Sequence, residues 1–314
     1  MGRLSFDSVD VLIYDPVPAN RAATRAALYS LGFRHTVNVA TPEDFVDAIR
    51  RAPPDIALCE ADDGGEALCD IIRQVRQGNI CTNPFIVIVV TAWEKSSALI
   101  SKVVSSGADD LLLRPFSTAT LGSRIETHIE RRKGFVVTTD YVGPDRRHDD
   151  ARPSNAGLFE PPNSLRMKAR DRLSADVVTR RLEEELKQAR EKLHCEKLRR
   201  DSFQLCVLWR LLQEAPRASA SADLDKVATL ARSVETRCQD TEFQPAVEWC
   251  HSILAAVEGL NAGVDRNASM HLLGHAALSM HLVFHPEKDS SEQLNEVDAT
   301  VALIRARSQQ AIAV

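Results

Sequence analysis

The stretch Pro54-Asp55-Ile56-Ala57-Leu58-Cys59-Glu60 decides the fold of the first part of the chain. Its apolar run predicts a buried strand over 56–60, and that strand ends in a lone carboxylate, Glu60. A turn follows at Asp62-Asp63-Gly64-Gly65. Because ligands bind at the carboxyl ends of parallel strands in an α/β sheet, we expect a functional site beside Glu60.

Strand and helix signals alternate on both sides of this stretch. Strands are predicted over 9–14, 37–40, 56–60, 85–90 and 110–113, and helices over 20–31, 42–51, 66–76, 96–105 and 117–129. The run 85–90 is apolar throughout, which is typical of a central parallel strand buried on both faces. Five β–α units within about 120 residues predict a doubly wound five-stranded parallel sheet.

The pattern changes after the first domain, which we place at 1–132. Residues 133–167 are rich in glycine, proline and arginine, so we predict a linker there, with a short extended piece at Phe135-Val136-Val137. A long polar helix is predicted over 168–214, followed by an antiparallel helical bundle over 215–314. The bundle helices are expected near 222–239, 243–261, 267–285 and 290–308.

A heptad seam runs along the long helix. Leu182, Leu186, Ala189 and Leu193 follow one another at steps of four, three and four residues. Such spacing is typical of a coiled coil, but it is also compatible with a helix that packs only within its own chain. Both alternatives are open from the sequence.

Composition narrows the class of protein. The 314 residues are ordinary in charge and apolar content, and no apolar run approaches the roughly 20 residues of a membrane span. Seven cysteines without CxxC pairs indicate free thiols in a reducing cytosol, so we expect a cytoplasmic protein. The basic residues of the middle segment are interleaved with acids and lack stacking aromatics, so we do not expect nucleic acid as a partner.

Several motifs of the first domain belong together. They are Val11-Leu12-Ile13-Tyr14-Asp15, the stretch 54–60, Val90-Thr91-Ala92, and Gly107-Ala108-Asp109-Asp110 followed by Arg114-Pro115-Phe116. In order and spacing they resemble the response-regulator receiver (CheY-like) domain of bacterial two-component signalling, over about residues 8–130. The resemblance implies a flavodoxin-like fold, a cis peptide bond at Pro115 and a Mg²⁺-dependent phosphoryl-transfer pocket.

The chain departs from the receiver pattern at most of the positions that carry this chemistry. The resemblance implies two adjacent acids after the first strand, an aspartate that accepts the phosphoryl group, and a lysine before the proline. Here Asp15 matches the first acid, but Pro16 occupies the place of the second. Glu60 replaces the phosphoacceptor and Arg114 replaces the lysine, whereas Thr91 keeps the switch hydroxyl.

These departures are mutually consistent. We hypothesise that Glu60 and Arg114 form an ion pair in place of Mg²⁺ and phosphate, with the guanidinium gripping the carboxylate through two hydrogen bonds. The alternatives are that Glu60 is the solvated remnant of a lost site, or that phosphorylation persists at Asp62 or Asp63. We therefore expect a degenerate phosphoacceptor pocket without catalytic residues, metal or cofactor, formed by Asp15, Glu60, Thr91, Arg114 and Pro115.

One helix of the second half carries four histidines. His271, His275, His281 and His285 fall within an arc of about 120° on a helix. We expect a partly exposed packing or partner face there, with Zn²⁺ binding and pH sensing as alternatives. The core face of this helix is predicted to comprise Leu272, Ala276, Met280, Val283 and Phe284.

Together these features predict a bacterial signalling protein that is not an enzyme. It would use a phosphorylation-independent pseudo-receiver and a helical module for protein–protein interaction. The expected partners are proteins, such as a signalling kinase or an output protein, and a second copy that binds through 178–212 or 96–131. The alternative is a true phosphorelay response regulator that accepts phosphate at a nonstandard acid.

Overall fold

The computed structural model describes residues 4–61, 65–138, 141–146, 158–214 and 221–312, with only the backbone from 307 onward. The chain divides into two compact units, Met1–Glu191 and Lys192–Val314, called unit 1 and unit 2 below. Among the described residues, no helix is long and apolar enough to cross a membrane.

Unit 1 is built on a five-stranded parallel sheet. Its strands are β1 (Asp10–Tyr14), β2 (His35–Val39), β3 (Ile56–Glu60), β4 (Val87–Ala92) and β5 (Asp110–Leu113). They lie in the order β2-β1-β3-β4-β5, and every neighbouring pair is parallel. The predicted doubly wound sheet is thereby confirmed.

Five helices alternate with these strands, as predicted. They are α1 (Pro18–Leu31), α2 (Pro42–Arg51), α3 (Glu66–Arg76), α4 (Ser97–Ser106) and α5 (Thr118–Glu130). Side-chain oxygens of Thr41, Ser96 and Ser117 accept backbone N–H groups at the starts of α2, α4 and α5. Local signals therefore set where these helices begin.

The strands separate two apolar layers because alternate side chains point to opposite faces of the sheet. Ala57 and Cys59 of β3 face the layer shared with α2, α3 and α4, whereas Ile56 and Leu58 face the layer shared with α1 and α5. Thus β3 is buried on both faces, and its last residue, Glu60, is placed at the carboxyl edge of the sheet.

The predicted linker over 133–167 is wrong for the described part of that segment. Its residues form an antiparallel hairpin of β6 (Phe135–Val137) and β7 (Val142–Pro144), followed by α6 (Ser164–Ala169). Phe159 forms a β-bridge with Phe135. These elements lie within unit 1, which therefore extends well beyond the predicted boundary at residue 132.

A buried cluster of charges explains why this extension folds onto unit 1. The fully buried guanidinium of Arg76 donates to the carbonyl oxygens of Gly107, Pro84 and Ile86 and pairs with Asp109 at 2.7 Å. Arg132 pairs with the same carboxylate at 2.9 Å. The ring of Phe135 lies against both guanidiniums, with its centroid 5.2 and 5.1 Å from their Cζ atoms.

The extension also anchors the amino-terminal edge of the sheet. Phe85, before β4, packs edge-to-face against Phe135 and Phe159. From α6, Lys168 donates to Asp10 and Asp55, at the starts of β1 and β3, over 2.6 and 2.7 Å. The described part of the predicted linker therefore covers the edge of the sheet opposite Glu60.

Unit 2 is all-helical, as predicted, but it begins inside the long helix. Its helices are the second half of α7 (Ala175–Glu214), α8 (Ser221–Cys238), α9 (Ala246–Ala262), α10 (Arg266–Phe284) and α11 (Ser290–Ile312). Leu198, Leu205 and Leu212 of α7 belong to the core shared with the other helices. The predicted boundary at 214/215 is therefore wrong, because the carboxyl-terminal half of α7 is part of the bundle.

The heptad residues of α7 are largely covered within the single chain. Leu186, Ala189 and Leu193 are buried, and Leu182 is half-buried. This burial favours the alternative in which the seam packs within its own chain, and a coiled coil between copies over 178–212 stays a prediction.

The predicted core face of α10 is partly wrong. Ala276, Met280 and Phe284 are buried as expected, but Leu272 and Val283 are exposed. Their places in the core are taken by residues about one third of a turn away, including Leu273 and Ala277. The helix is oriented this way because Gly274 lies directly against Trp209, where a Cβ atom would come within 2.3 Å of the indole.

Candidate functional site

The predicted pocket residues meet at the carboxyl edge of the sheet. Asp15 follows β1, Glu60 ends β3, Thr91 lies opposite Glu60 in β4, and Arg114 follows β5. Pro115 is next in sequence, and the Arg114–Pro115 peptide bond is cis, as the resemblance implies. Four strands of the parallel sheet therefore deliver the pocket residues to one place.

Arg114 is the centre of this pocket. Its Nε donates to Glu60 Oε2 over 2.7 Å, and its Nη2 donates to Asp15 Oδ2 over 3.0 Å. Only 7% of the Arg114 side chain is exposed. The predicted Glu60–Arg114 ion pair is confirmed, but the predicted two-bond grip of Glu60 is wrong, because the guanidinium bridges two carboxylates.

Two hydroxyl groups complete the network. Thr91 Oγ1 donates to Glu60 Oε2 over 2.5 Å, so this single oxygen accepts from both the threonine and the arginine. Thr24 Oγ1, on α1, accepts from Arg114 Nη2 over 3.0 Å. Sequence reasoning missed Thr24, although a lone hydroxyl on the inward side of an otherwise apolar helix face was the available signal.

Asp15 is fully buried at the end of β1. Burial raises the pKa of Asp15, and the nearby charge of Glu60 raises it further. The backbone N–H of Val17, which donates to Oδ1 over 2.9 Å, and the charge of Arg114 lower that pKa without offsetting burial. Arg21 donates to the carbonyl oxygen of Asp15, which ties α1 to the end of β1.

The pocket does not fit the Mg²⁺ ion that the resemblance implies. Mg²⁺ needs a near-ideal octahedron of oxygen ligands. Among the described residues, the guanidinium of Arg114 contacts both carboxylates of the pocket, Asp15 and Glu60, and Pro16 supplies no side-chain oxygen where a second acid would stand. Asp62 and Asp63, the candidates for residual phosphorylation, lie outside the described residues.

Strand order decides which fold this is. The order 2-1-3-4-5, parallel throughout with helices on both faces, is the flavodoxin-like order shared by CheY. Unit 1 has this flavodoxin-like fold, which is the fold of receiver domains, and it is called the receiver unit below. Within it, the elements from β1 to α5 form the fold, and the hairpin and α6 are additions at the opposite edge of the sheet from the pocket.

Comparison with solved structures returns receiver domains. A response regulator from Thermotoga maritima matches with 23% identity and a TM-score of 0.35, covering 38% of this chain and 97% of that one. A CheY-like receiver domain protein from Methanospirillum hungatei matches with 17% identity and a TM-score of 0.35, over 40% and 97% of the two chains. A signal receiver domain from Bermanella marisrubri matches with 25% identity and a TM-score of 0.33, over 38% and 97%. No protein-family model and no curated protein matches the sequence.

The four histidines of α10 do not converge on one site. His271 and His275 are exposed, whereas His281 is buried and shares a 3.0 Å hydrogen bond through Nδ1 with Ser202. Burial lowers the pKa of His281 to about 3. His285 Nδ1 lies 3.2 Å from Glu287. Within the described ranges, no group of three metal-ligating side chains is assembled, so the Zn²⁺ alternative has no geometric support.

Proposed function

We propose that this chain is a cytoplasmic bacterial signalling protein whose receiver unit works without phosphorylation. The observation that carries the proposal is the bridge from Arg114 to Asp15 and Glu60. In this pseudo-receiver a permanent guanidinium supplies the positive charge that a metal ion would otherwise supply. The proposal assigns the protein no catalytic activity and no cofactor.

The energetics of the pocket support this reading. Admitting a cation and a phosphoryl group would require Arg114 to release both carboxylates, and breaking a buried ion pair costs about 3–5 kcal/mol. Glu60 also carries its carboxylate one methylene further from the strand than aspartate would. Errors of about 1 Å in the position of a reacting group are costly to catalysis. Both effects act against phosphoryl transfer to Glu60.

The output proposed for the receiver unit is protein binding through residues 96–131. This range includes the outward side of α4, the edge strand β5 and α5. Trp93 lies just before it and is 59% exposed. Large exposed aromatics of this kind are enriched among the residues that dominate protein interfaces. The helical unit is proposed as a second protein-binding module, with a signalling kinase or an output protein as the partner class.

Phosphorylation is tested with acetyl phosphate and Mg²⁺, followed by intact-mass measurement of the full chain. We expect no phosphoryl adduct on the wild type. The variant Pro16→Asp/Glu60→Asp/Arg114→Lys removes the three departures from the receiver pattern and serves as the positive control. A stable adduct on the wild type, mapped by fragmentation to any acid of the pocket or of 62–63, would establish the phosphorelay alternative instead.

Partner binding is tested by capture of proteins from cell extract on the immobilised full chain. Val104→Glu should reduce capture of a specific partner, because Val104 is 39% exposed on α4, inside the proposed surface. Tyr29→Glu is the matched control, since Tyr29 is 63% exposed but lies on α1, outside the proposed surface. Equal capture by the two variants would place the partner surface elsewhere.

A further inference from the structure

Lys197, in the part of α7 that belongs to unit 2, has unusual surroundings for a lysine. It is half-buried, and among the described residues its ammonium takes part in no hydrogen bond or ion pair. By contrast, four other lysines donate to carboxylates over 2.6–2.9 Å, namely Lys102, Lys168, Lys226 and Lys288. Lys197 therefore lacks a direct counter-ion, which is costly for a half-buried ammonium.

The acid nearest to Lys197 along α7 is paired with another cation. Asp201 lies four residues further on, on the same face of the helix. Its side chain is 2% exposed, and its Oδ2 accepts from Nη1 of Arg237 on α8. The charge of Arg237 acts on Lys197 more strongly than the charge of Asp201 does. Two cations therefore share one buried carboxylate, and the guanidinium is the one that binds it.

His194 completes this group, which we call the Lys197 cluster: His194, Lys197, Asp201 and Arg237. On α7, the first three fall within an arc of about 60°. His194 Nε2 is buried without a hydrogen-bond partner among the described residues. Burial lowers the pKa of His194, the charges of Arg237 and Lys197 lower it further, and Glu242 offsets them only in part. The cluster therefore disfavours additional protons.

The same two causes act on Lys197 itself. Burial, and then the charge of Arg237, lower the pKa of Lys197 to about 8, and Asp201 offsets them only in part. At neutral pH roughly a tenth of such side chains carry a neutral amine, against less than about a thousandth for an ordinary lysine. The neutral amine is the nucleophile, and burial beside another cation is a known way to activate a lysine.

We propose that Lys197 is a site of covalent acylation, and that its donors are acyl phosphates. The amine attacks the carbonyl carbon of the donor, a C–N bond forms, and the C–O bond to the phosphate breaks. Inorganic phosphate leaves with the electron pair of that bond, and the proton lost by the nitrogen passes to water. The guanidinium of Arg237, whose side chain is 28% exposed, favours a donor with an anionic phosphate group.

The structure can accept this modification without losing a bond. Acylation removes the charge of Lys197, but it leaves the pair between Asp201 and Arg237 in place. Acylation of Lys168 would instead remove the ion pairs with Asp10 and Asp55. We therefore expect acylated Lys197 to be compatible with a folded helical unit.

The test is the rate of acetylation of each lysine in the full chain, with acetyl phosphate as the probe and peptide mapping by mass spectrometry as the measurement. At neutral pH we expect Lys197 to react at least about 10-fold faster than Lys226. Lys226 is the matched control, because its side chain is 61% exposed in the same unit but is paired with Asp223. The Lys197 rate should level off above about pH 9, where its amine is neutral.

A variant tests the role of the guanidinium. Arg237→Gln removes the neighbouring charge and frees Asp201 to pair with Lys197, so we expect Lys197 to react at least about 5-fold more slowly at neutral pH. Arg232→Gln is the matched control, since Arg232 is exposed on the same helix and its loss changes the net charge equally. Circular dichroism checks that both variants retain their helices.

The wild-type rates decide the proposal even if Arg237→Gln does not fold. A Lys197 rate at neutral pH no higher than that of Lys226 overturns the proposal, as does a Lys197 rate that still rises steeply above about pH 9. Equal Lys197 rates in folded Arg237→Gln and Arg232→Gln overturn the activation by Arg237.

Discussion

Two buried arginines hold opposite edges of the receiver sheet, and their partners differ. Arg114 satisfies its guanidinium with two carboxylates and a threonine hydroxyl at the carboxyl edge. Arg76, at the amino edge, uses three carbonyl oxygens and one carboxylate. A guanidinium has five donors in a fixed fork, so it can join several elements at once where a lysine could not.

The first residue-scale prediction concerns Arg114→Ala. The variant leaves Asp15 and Glu60 buried without their cation, so we expect the receiver unit to lose about 3–5 kcal/mol of stability. The matched control is Arg124→Ala, whose exposed ion pair with Asp110 should contribute about 0–1 kcal/mol. The measurement is the free energy of unfolding in urea, with hydrogen exchange in β1 and β3 as the probe of the receiver unit. A loss no larger than that of the control would show that the bridge does not stabilise the fold.

The second residue-scale prediction concerns the contribution of Asp109 to the stability of the receiver unit in acid. Burial opposes ionisation of this carboxyl, but the charges of Arg132 and Arg76 outweigh it and lower the pKa of Asp109. A lowered pKa means that the unfolded chain binds the proton more readily, so the contribution is complete above the ordinary pKa and is lost as pH falls through the folded pKa. Asp109→Asn should therefore destabilise the unit at neutral pH and flatten its stability profile below about pH 4. The measurement is the unfolding midpoint of wild type and Asp109→Asn at a series of pH values across that range. Parallel changes of the two midpoints with pH would contradict the prediction.

At the scale of elements, local signals predict the receiver but not its extension. The strands and helices from β1 to α5 have clear apolar periods, and several helices have capping residues at their starts. The sequence indicates an extended piece at 135–137, but not its pairing with β7, because both strands have three residues, too short for a period to be read. Its position depends on Phe135 meeting Phe85 and two guanidiniums, contacts that no local window contains.

The close approach of the hairpin to Gly107 gives an element-scale prediction. A Cβ atom at Gly107 would lie 2.5 Å from the carbonyl oxygen of Val142, and φ there is +94°. Gly107→Ala should cost about 1–2 kcal/mol for the backbone conformation and about 1–3 kcal/mol more for the clash. Gly78→Ala is the control, since φ is +80° and nothing lies within 4 Å. Equal losses in urea unfolding would mean that β7 does not pack closely on Gly107.

At the scale of the whole molecule, the chain is two compact units joined within a continuous helix. The unit boundary at 191/192 falls inside α7, where no glycine, proline or change of composition marks it. Each unit has its own apolar core. Only the side chains packed against α7 show which of its residues enter the core of unit 2. A boundary of this kind is decided by which side chains meet in space.

This division predicts that damage to one core stays within its unit. Gly274→Ala forces a Cβ atom against Trp209 and should raise hydrogen exchange in α9 and α10, while exchange in β1, β3 and β4 stays as in wild type. Arg114→Ala should raise hydrogen exchange in β1, β3 and β4 and leave exchange in α9 and α10 as in wild type. Exchange mass spectrometry of both variants checks this, and an equal rise in both units for either variant would mean that they unfold as one.

The sequence by itself determined the succession of β–α units, the strand ends at which Asp15, Glu60, Thr91 and Arg114 meet, and the all-helical second half. These follow from apolar periods, caps and turns, which act over a few residues. Only the tertiary structure decided that Arg114 bridges two acids with Thr24 beside it, that the described part of 133–167 covers a sheet edge, and which side of α10 is buried. These depend on partners distant in sequence, such as Lys168 and Asp55 at a separation of 113 residues, because hydrogen bonds and burial of charge are satisfied in space.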